Sequence, residues 1–235
     1  MLDVAAIRHK TFRDKTFRFC EVKGPGDVAH ASWWTFDDEQ AFRDRWWKPL
    51  PGETVLDIGA AFGSYALPAL ALGARVVCFS PAELDTELLQ LNLAQNPDLA
   101  KRCMVVRDGL YSRDGWFDPD HCAFATQPVR DTSEHDTTQW LKVRSLDSFL
   151  EERPGIGAVG LMKLDVEGAE LEVLKGAEKC LRMYHPRILV ENHEQHVRGI
   201  ESMVRDYLVG LGVGYICDGP YQYGVVSHSY FEVRQ

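Results

Sequence analysis

Val55-Leu-Asp-Ile-Gly-Ala-Ala-Phe-Gly-Ser-Tyr65 is the stretch whose reading decides the fold. Thr54 to Ile58 is a short apolar run with one charge, Asp57, and Gly59 and Gly63 close it. Glycine lets a backbone turn tightly and pass close to a ligand. Ser64 to Leu72 then reads as a helix stopped by Gly73, with Pro68 tolerated near its first turn.

The same rhythm continues outward. Arg75–Phe79, Cys103–Arg107, Gly160–Leu164 and Arg187–Glu191 read as further strands. Helices are expected over Ala82–Gln95, where Leu84, Leu88 and Leu91 recur at helical spacing, then over Glu167–Leu181 and His196–Leu211. Gly214–Cys217 and Val225–Val233 finish the chain as two strands joined by the turn-rich Asp218–Gly224, without a helix between them. Strands alternating with helices predict an α/β fold with a doubly wound parallel sheet and an antiparallel pair at its edge.

Two segments fall outside the alternation. Residues 1–50, with Phe17-Arg-Phe-Cys20 and the pairs Trp33-Trp34 and Trp46-Trp47, read as a strand-and-helix cap. Residues 112–140, with Trp116, His121, His135 and Trp140, are polar and rich in turns. Long loops of this kind are often functional. The six tryptophans suit stacking on a ligand ring or core packing, with packing expected for at least three. The domain expectation is a cap over 1–51 and one compact unit over 52–235.

Composition narrows the function. The chain of 235 residues is 45% hydrophobic and 26% charged, with a net charge of −9. A core of this size buries about three quarters of the unfolded surface and needs no disulfide or metal staple. The negative balance argues against nucleic acid as partner, since phosphate binding draws on dense Lys/Arg surfaces. Arg8, Lys10, Arg13, Lys15, Arg18 and Lys23 are the local exception, read first as a solvated strand face and second as a contact for an anion. Cys20, Cys78, Cys103, Cys122, Cys180 and Cys217 show no C-x-x-C spacing, which fits a reducing cytosol. Met1 to Lys10 carries charges where a signal peptide needs an apolar run. No apolar span reaches about 18 residues, so a cytoplasmic protein with no membrane partner is expected.

In an open parallel sheet, ligands sit beyond the carboxyl ends of the strands. Those positions hold Asp57, Gly59, Ala60, Gly63, Ser64 and Tyr65, then Ser80 and Pro81, Asp108, Gly109 and Leu110, Asp165, and Glu191-Asn192-His193. The spacing G-x-x-x-G differs from the G-x-G-x-x-G of dinucleotide sites. Asp57 would repel a pyrophosphate but suits a sulfonium or ammonium, which favours S-adenosyl-L-methionine over NAD.

Three stretches together resemble the FkbM-type methyltransferases: Val55 to Tyr65, Val143-Arg-Ser-Leu-Asp-Ser-Phe-Leu150, and Leu161-Met-Lys-Leu-Asp-Val-Glu-Gly-Ala-Glu-Leu-Glu-Val-Leu-Lys-Gly-Ala177. The resemblance covers roughly residues 50–195 and the last stretch is its most specific part. It implies a doubly wound, mostly parallel, seven-stranded Rossmann-like methyltransferase sheet with an antiparallel final strand. It also implies S-adenosyl-L-methionine at Asp57, Gly59, Ala60 and Gly63, S-adenosyl-L-homocysteine as product, and a hydroxyl on a sugar, polyketide or similar natural product as acceptor. Two positions depart from the family pattern: Ala61 stands where Asn is usual, and Ser80 where a Glu usually holds the ribose hydroxyls. A serine makes one hydrogen bond where a carboxylate accepts two charge-assisted ones, so weaker cofactor binding is expected. Glu83 and Asp85 offer carboxylates nearby, yet both also suit the start of the next helix.

On the acceptor side, Asp165, Glu191 and His193 are the candidate catalytic residues. Asp165 stands at the tip of the fourth strand, and Glu167 reads equally as an acid favouring a helix N-terminus. His193 suits a general base, its ordinary pKa being near 6.5, and equally a surface histidine. Asp165, Glu191 and Asn192 also make an all-oxygen set at adjacent strand tips, of a kind that holds Mg²⁺. The leading reading is a small-molecule O-methyltransferase, with a homodimer as its expected assembly. N-methylation, and a non-catalytic relative that binds a nucleotide or a partner, are the alternatives.

Overall fold

The computed structural model describes residues 2–23, 29–30, 37, 39–117 and 140–234. Trp33, Trp34, Cys122, His121, His135 and most of the 112–140 segment lie outside the described residues. The chain divides into two compact units, 1–107 and 108–235. Seven strands form one sheet, ordered β12-β13-β11-β10-β4-β5-β6 with the ranges given below. It is the mostly parallel α/β sheet, with antiparallel last strands, that the alternation of elements predicts.

The first unit opens with the hairpin β1 (Asp3–Phe12) and β2 (Lys15–Lys23), turned at Arg13-Asp14 and extended by β3 (Ala29–His30). Helix α1 (Gln40–Trp46) follows. Then come β4 (Thr54–Ile58), α2 (Ala66–Ala71), β5 (Arg75–Phe79), α3 (Glu83–Ala94), α4 (Pro97–Ala100) and β6 (Cys103–Val106). β4, β5 and β6 pair in parallel register. Asparagine side chains seat the hairpin on α3. Asn92 accepts the Cys20 N–H at 2.6 Å, and Asn96 takes both backbone groups of Arg18, the N–H at 2.9 Å and the carbonyl at 2.8 Å. These amides satisfy backbone groups that the neighbouring strand leaves unpaired. The basic residues of the hairpin meet local partners, as in Arg8 with Glu21 at 2.7 Å and Lys15 with Asp14 at 2.8 Å.

The second unit starts with a small sheet in which β7 (Gly109–Leu110) and β8 (Gly115–Phe117) flank β9 (Leu141–Arg144). After it come α5 (Leu146–Glu151), β10 (Val159–Leu164), α6 (Glu170–Lys175), α7 (Glu178–Tyr184), β11 (Arg187–Asn192), α8 (Ile200–Gly210), β12 (Tyr215–Tyr223) and β13 (Val226–Val233). β10 and β11 are parallel, and β13 runs antiparallel to both β11 and β12. The expected turn over Asp218–Gly224 is instead strand. β12 continues to Tyr223 through an irregularity between Asp218 and Tyr221, and the reversal falls after it.

The helix expected over Glu167–Leu181 is two short helices that break at Gly176-Ala177. Two groups from elsewhere in this unit use the break. The Gly176 carbonyl accepts the Asp147 N–H at 2.9 Å, and the Asp147 carboxylate accepts the N–H groups of Lys179 and Cys180 at 2.8 and 2.9 Å. That is helix capping from a distance, supplied by a residue of α5. Gly176 is required on steric grounds too, because a Cβ there would collide with the Tyr111 carbonyl. Gly176→Ala is expected to destabilise the fold by about 3 kcal/mol and lower Tm by roughly 6–12 °C. Thermal unfolding followed by circular dichroism measures this, and an unchanged Tm would refute the steric account.

Candidate functional site

In the first unit, the candidate residues gather where β4 and β5 end. Asp57 is opposite Cys78 in the parallel register and is almost fully buried. The N–H groups of Gly59 and Ala60 both donate to the Phe79 carbonyl at 3.0 Å, so the chain turns off β4 at once. Gly63 closes the loop by donating to the Ala60 carbonyl at 2.7 Å, with φ of +94°. A Cβ at Gly63 would fall 2.8 Å from Leu89 Cδ1. Asn92 donates to the Phe62 carbonyl at 2.8 Å, which fixes the loop to α3.

Ala61 has φ of +43°, in the left-handed region that asparagine and glycine enter more readily than alanine. This backbone requirement gives the departure at Ala61 a physical meaning. Tyr65 is buried and makes an edge contact with Trp47 at 5.1 Å, while Trp47 Nε1 donates to the Tyr65 carbonyl at 3.0 Å. Trp46 and Trp47 are thus core residues, as the packing alternative expects. The helix expected from Ser64 starts at Ala66, leaving Ser64 in the turn before it.

Ser80 follows β5 and is buried. Its N–H donates to the Val106 carbonyl at 3.0 Å, and its carbonyl accepts from Thr86 Oγ1 at 2.9 Å. Pro81 beside it is partly exposed. Of the two nearby acids, Glu83 is exposed and Asp85 is half-buried, its carboxyl pushed up by burial.

In the second unit, Asp108 faces Lys142 at 3.6 Å and Arg144 at 3.9 Å. Gly109 and Leu110 are buried in β7. At the ends of β10 and β11 lies a dense charged cluster, and it brings together all three candidate catalytic residues. Lys163, fully buried, places Nζ 3.3 Å from Glu191 Oε2 and 3.5 Å from Asp165 Oδ2. His228 Nε2 lies 3.4 Å from the same Glu191 oxygen. Burial alone would raise the Glu191 pKa, but Lys163 and then His228 hold it well below the usual carboxylate range.

His193 is 2% exposed, so it is not a surface histidine. Its Nδ1 is 2.7 Å from Glu170 Oε1, and Glu170 also accepts the Gly168 N–H at 3.1 Å. Its Nε2 faces Asp165 Oδ1 at 3.5 Å, Glu167 Oε2 at 3.5 Å and Glu191 Oε1 at 3.7 Å. Burial alone would lower the His193 pKa; the Glu170 hydrogen bond and the charges of Glu170, Asp165 and Glu167 raise it to about 8.

Glu167 is not in the first turn of a helix. It precedes α6 with φ of +53°, and its carboxylate lies 3.0 Å from the exposed His196. Asn192 turns its amide nitrogen to Ser227 and Ser229 of β13, at 3.0–3.3 Å. Sequence reasoning passed over Lys163, Glu170 and His228. For Lys163 a signal existed, a lone charge inside an otherwise apolar strand.

Glycine turns and acids at the tips of a doubly wound, mostly parallel sheet are the features of a Rossmann-like methyltransferase fold. Residues 57–217 match the model of the methyltransferase FkbM domain, and the chain belongs to that family. No curated protein matches it. Among solved structures, it is similar to the methyltransferase FkbM of Methylobacillus flagellatus KT, with TM-score 0.59 and 19% identity over 77% of this chain and 43% of that one. A precorrin-6y methyltransferase of Geobacter metallireducens GS-15 aligns with TM-score 0.50 and 11% identity over 80% of this chain and 83% of that one. A 16S rRNA methyltransferase of T. thermophilus, in complex with AdoMet and guanosine, aligns with TM-score 0.50 and 16% identity over 99% and 51%. The chain spans less than half the length of the Methylobacillus protein. Among the described residues, no helix is long and apolar enough to cross a membrane.

Breaking the buried ion pair tests the charged cluster. Lys163→Met is expected to destabilise by about 3–5 kcal/mol, because it strands Glu191. Adding Glu191→Gln should recover part of that loss in a urea-denaturation cycle. Full additivity would show that the two charges do not interact.

Proposed function

We propose that this chain is an S-adenosyl-L-methionine-dependent methyltransferase acting on a hydroxyl of a small natural product or sugar. Asp57 carries the reading, a buried carboxylate at the start of a tight glycine turn. The donor set suits a cationic cofactor, since Gly59 to Tyr65 contains no lysine or arginine that would hold a phosphate. Asp57, Gly59, Ala60, Gly63, Ser64 and Tyr65 would hold its methionine end, with Ser80 and Pro81 at the ribose and Asp108, Gly109 and Leu110 near the adenine. When bound, S-adenosyl-L-methionine supplies an electrophilic methyl group on a sulfonium.

The residues of the second unit serve the acceptor. Methyl transfer is an in-line displacement that needs a positioned, partly deprotonated oxygen. Asp165, with Glu191 or His193, orients or activates that hydroxyl. The opposite charges of Lys163 and Glu191 keep that region structured without a net charge of their own.

Calorimetry with S-adenosyl-L-homocysteine tests the cofactor half. Asp57→Asn should weaken binding at least about tenfold, in proportion to one lost charge-assisted contact. No heat from the wild-type chain with either form of the cofactor would refute the reading. Ser80→Glu, with Ser80→Asp as the smaller variant, should tighten S-adenosyl-L-methionine binding by about tenfold. If neither variant binds more tightly, Ser80 has no ribose role.

A further inference from the structure

We propose that Asp165, Glu167 and His193 form a binding site for one divalent transition-metal ion of the Mn²⁺ or Zn²⁺ class. Each offers one ligand atom, and the three atoms lie within 4.8 Å of one another. His193 Nε2 is 3.5 Å from Asp165 Oδ1 and 3.5 Å from Glu167 Oε2. Ligands set tetrahedrally about 2.0–2.1 Å from a zinc ion stand roughly 3.3–3.4 Å apart. The two pairs that include His193 Nε2 are thus close to the spacing a shared ion imposes, and the third lies within 4.8 Å.

The buried imidazole is a separate pointer to a ligand. Among the described residues, His193 makes its short hydrogen bond through Nδ1, while Nε2 faces carboxylate oxygens at 3.5–3.7 Å. Those distances are long for a hydrogen bond. Glu170, with no solvent exposure, sits on the other side of the ring at 2.7 Å. A carboxylate at one histidine nitrogen, fixing the tautomer and orienting the other nitrogen, is the support that metal-binding histidines usually have.

Charge points the same way. Asp165, Glu167, Glu170 and Glu191 surround His193, and Lys163 with His228 compensates on the Glu191 side. Like charges this close disfavour one another unless a cation lies among them, a place that the imidazolium of His193 holds until an ion replaces its Nε2 proton. The ligand types select the ion: an imidazole with two carboxylates suits Mn²⁺ or Zn²⁺ better than Mg²⁺, which prefers oxygen alone. The all-oxygen set read from the sequence is differently engaged, with Glu191 on Lys163 and the Asn192 amide on β13. His196 adds a nitrogen at the rim, 3.0 Å from Glu167 Oε2. Resting on the methyltransferase reading, the ion would act as a Lewis acid that makes the acceptor hydroxyl easier to deprotonate.

The test uses the full chain, stripped with EDTA and dialysed, then titrated with MnCl₂, ZnCl₂ and MgCl₂ by calorimetry. Loss of the free-ion EPR signal follows Mn²⁺ independently. One Mn²⁺ or Zn²⁺ per chain is expected, with Mg²⁺ at least about tenfold weaker. Asp165→Asn and Glu167→Gln should each lose most of the binding, and Glu170→Gln should weaken it by roughly 10–100-fold. Glu167 is exposed, so its variant keeps the fold and the test stays decisive. Absence of stoichiometric binding, wild-type affinity in both ligand variants, or Mg²⁺ binding as tightly as Mn²⁺ would overturn the proposal. S-adenosyl-L-homocysteine titrated into the same samples separates the two claims. Cofactor bound without metal leaves the methyltransferase reading standing alone, and metal bound without cofactor leaves the site alone.

Discussion

A lysine with no solvent exposure on a central parallel strand has to be neutralised where it stands. Lys163 is that residue, and a buried charge without a partner is strongly destabilising. Its ammonium takes one oxygen from Asp165 and one from Glu191, which turns the second oxygen of each toward His193. The neighbouring strand tips are therefore set by an electrostatic demand inside the sheet. A carboxylate held in this way has its position set by the sheet, and in that sense the core builds the charged cluster.

The second unit locks the cluster in place through its chain connections. Asp147 on α5 caps α7, and Gly176 lets that junction press against the Tyr111 backbone. Val166 and Ala169, between the end of β10 and α6, pack with Tyr111 and with Phe117 and Val143 of the small sheet. The stretches Val143–Leu150 and Leu161–Ala177 are thus two halves of one arrangement. Their joint presence is what carries the family resemblance.

The alternation of strands and helices and the glycine turn were legible because local periodicity and backbone freedom determine them. Gly59 and Gly63 stand in the turn where the spacing puts them, after Asp57 on β4. Helix continuity across Gly176 was not legible, since the constraint comes from the distant Tyr111 carbonyl and the Asp147 cap. Asp218–Gly224 carries turn residues, yet cross-strand pairing with β13 keeps most of it extended. The charged cluster was half legible: Asp165, Glu191 and His193 could be named from their places at strand ends. Their contacts could not, because these depend on Lys163, Glu170 and His228 meeting them in space. Glu167 misleads in a similar way, its left-handed backbone placing it outside the helix that its sequence position implies.

Asn92 ties three parts of the first unit together through one amide, accepting from Cys20 on β2 and donating to Phe62 in the glycine loop. The loop and the hairpin therefore depend on the placement of one side chain. By thermodynamic reciprocity, whatever orders the loop also strengthens the seat of the hairpin, and whatever loosens the hairpin weakens the loop by the same factor. The N-terminal strands are thus part of what holds the glycine loop in shape, from outside the loop.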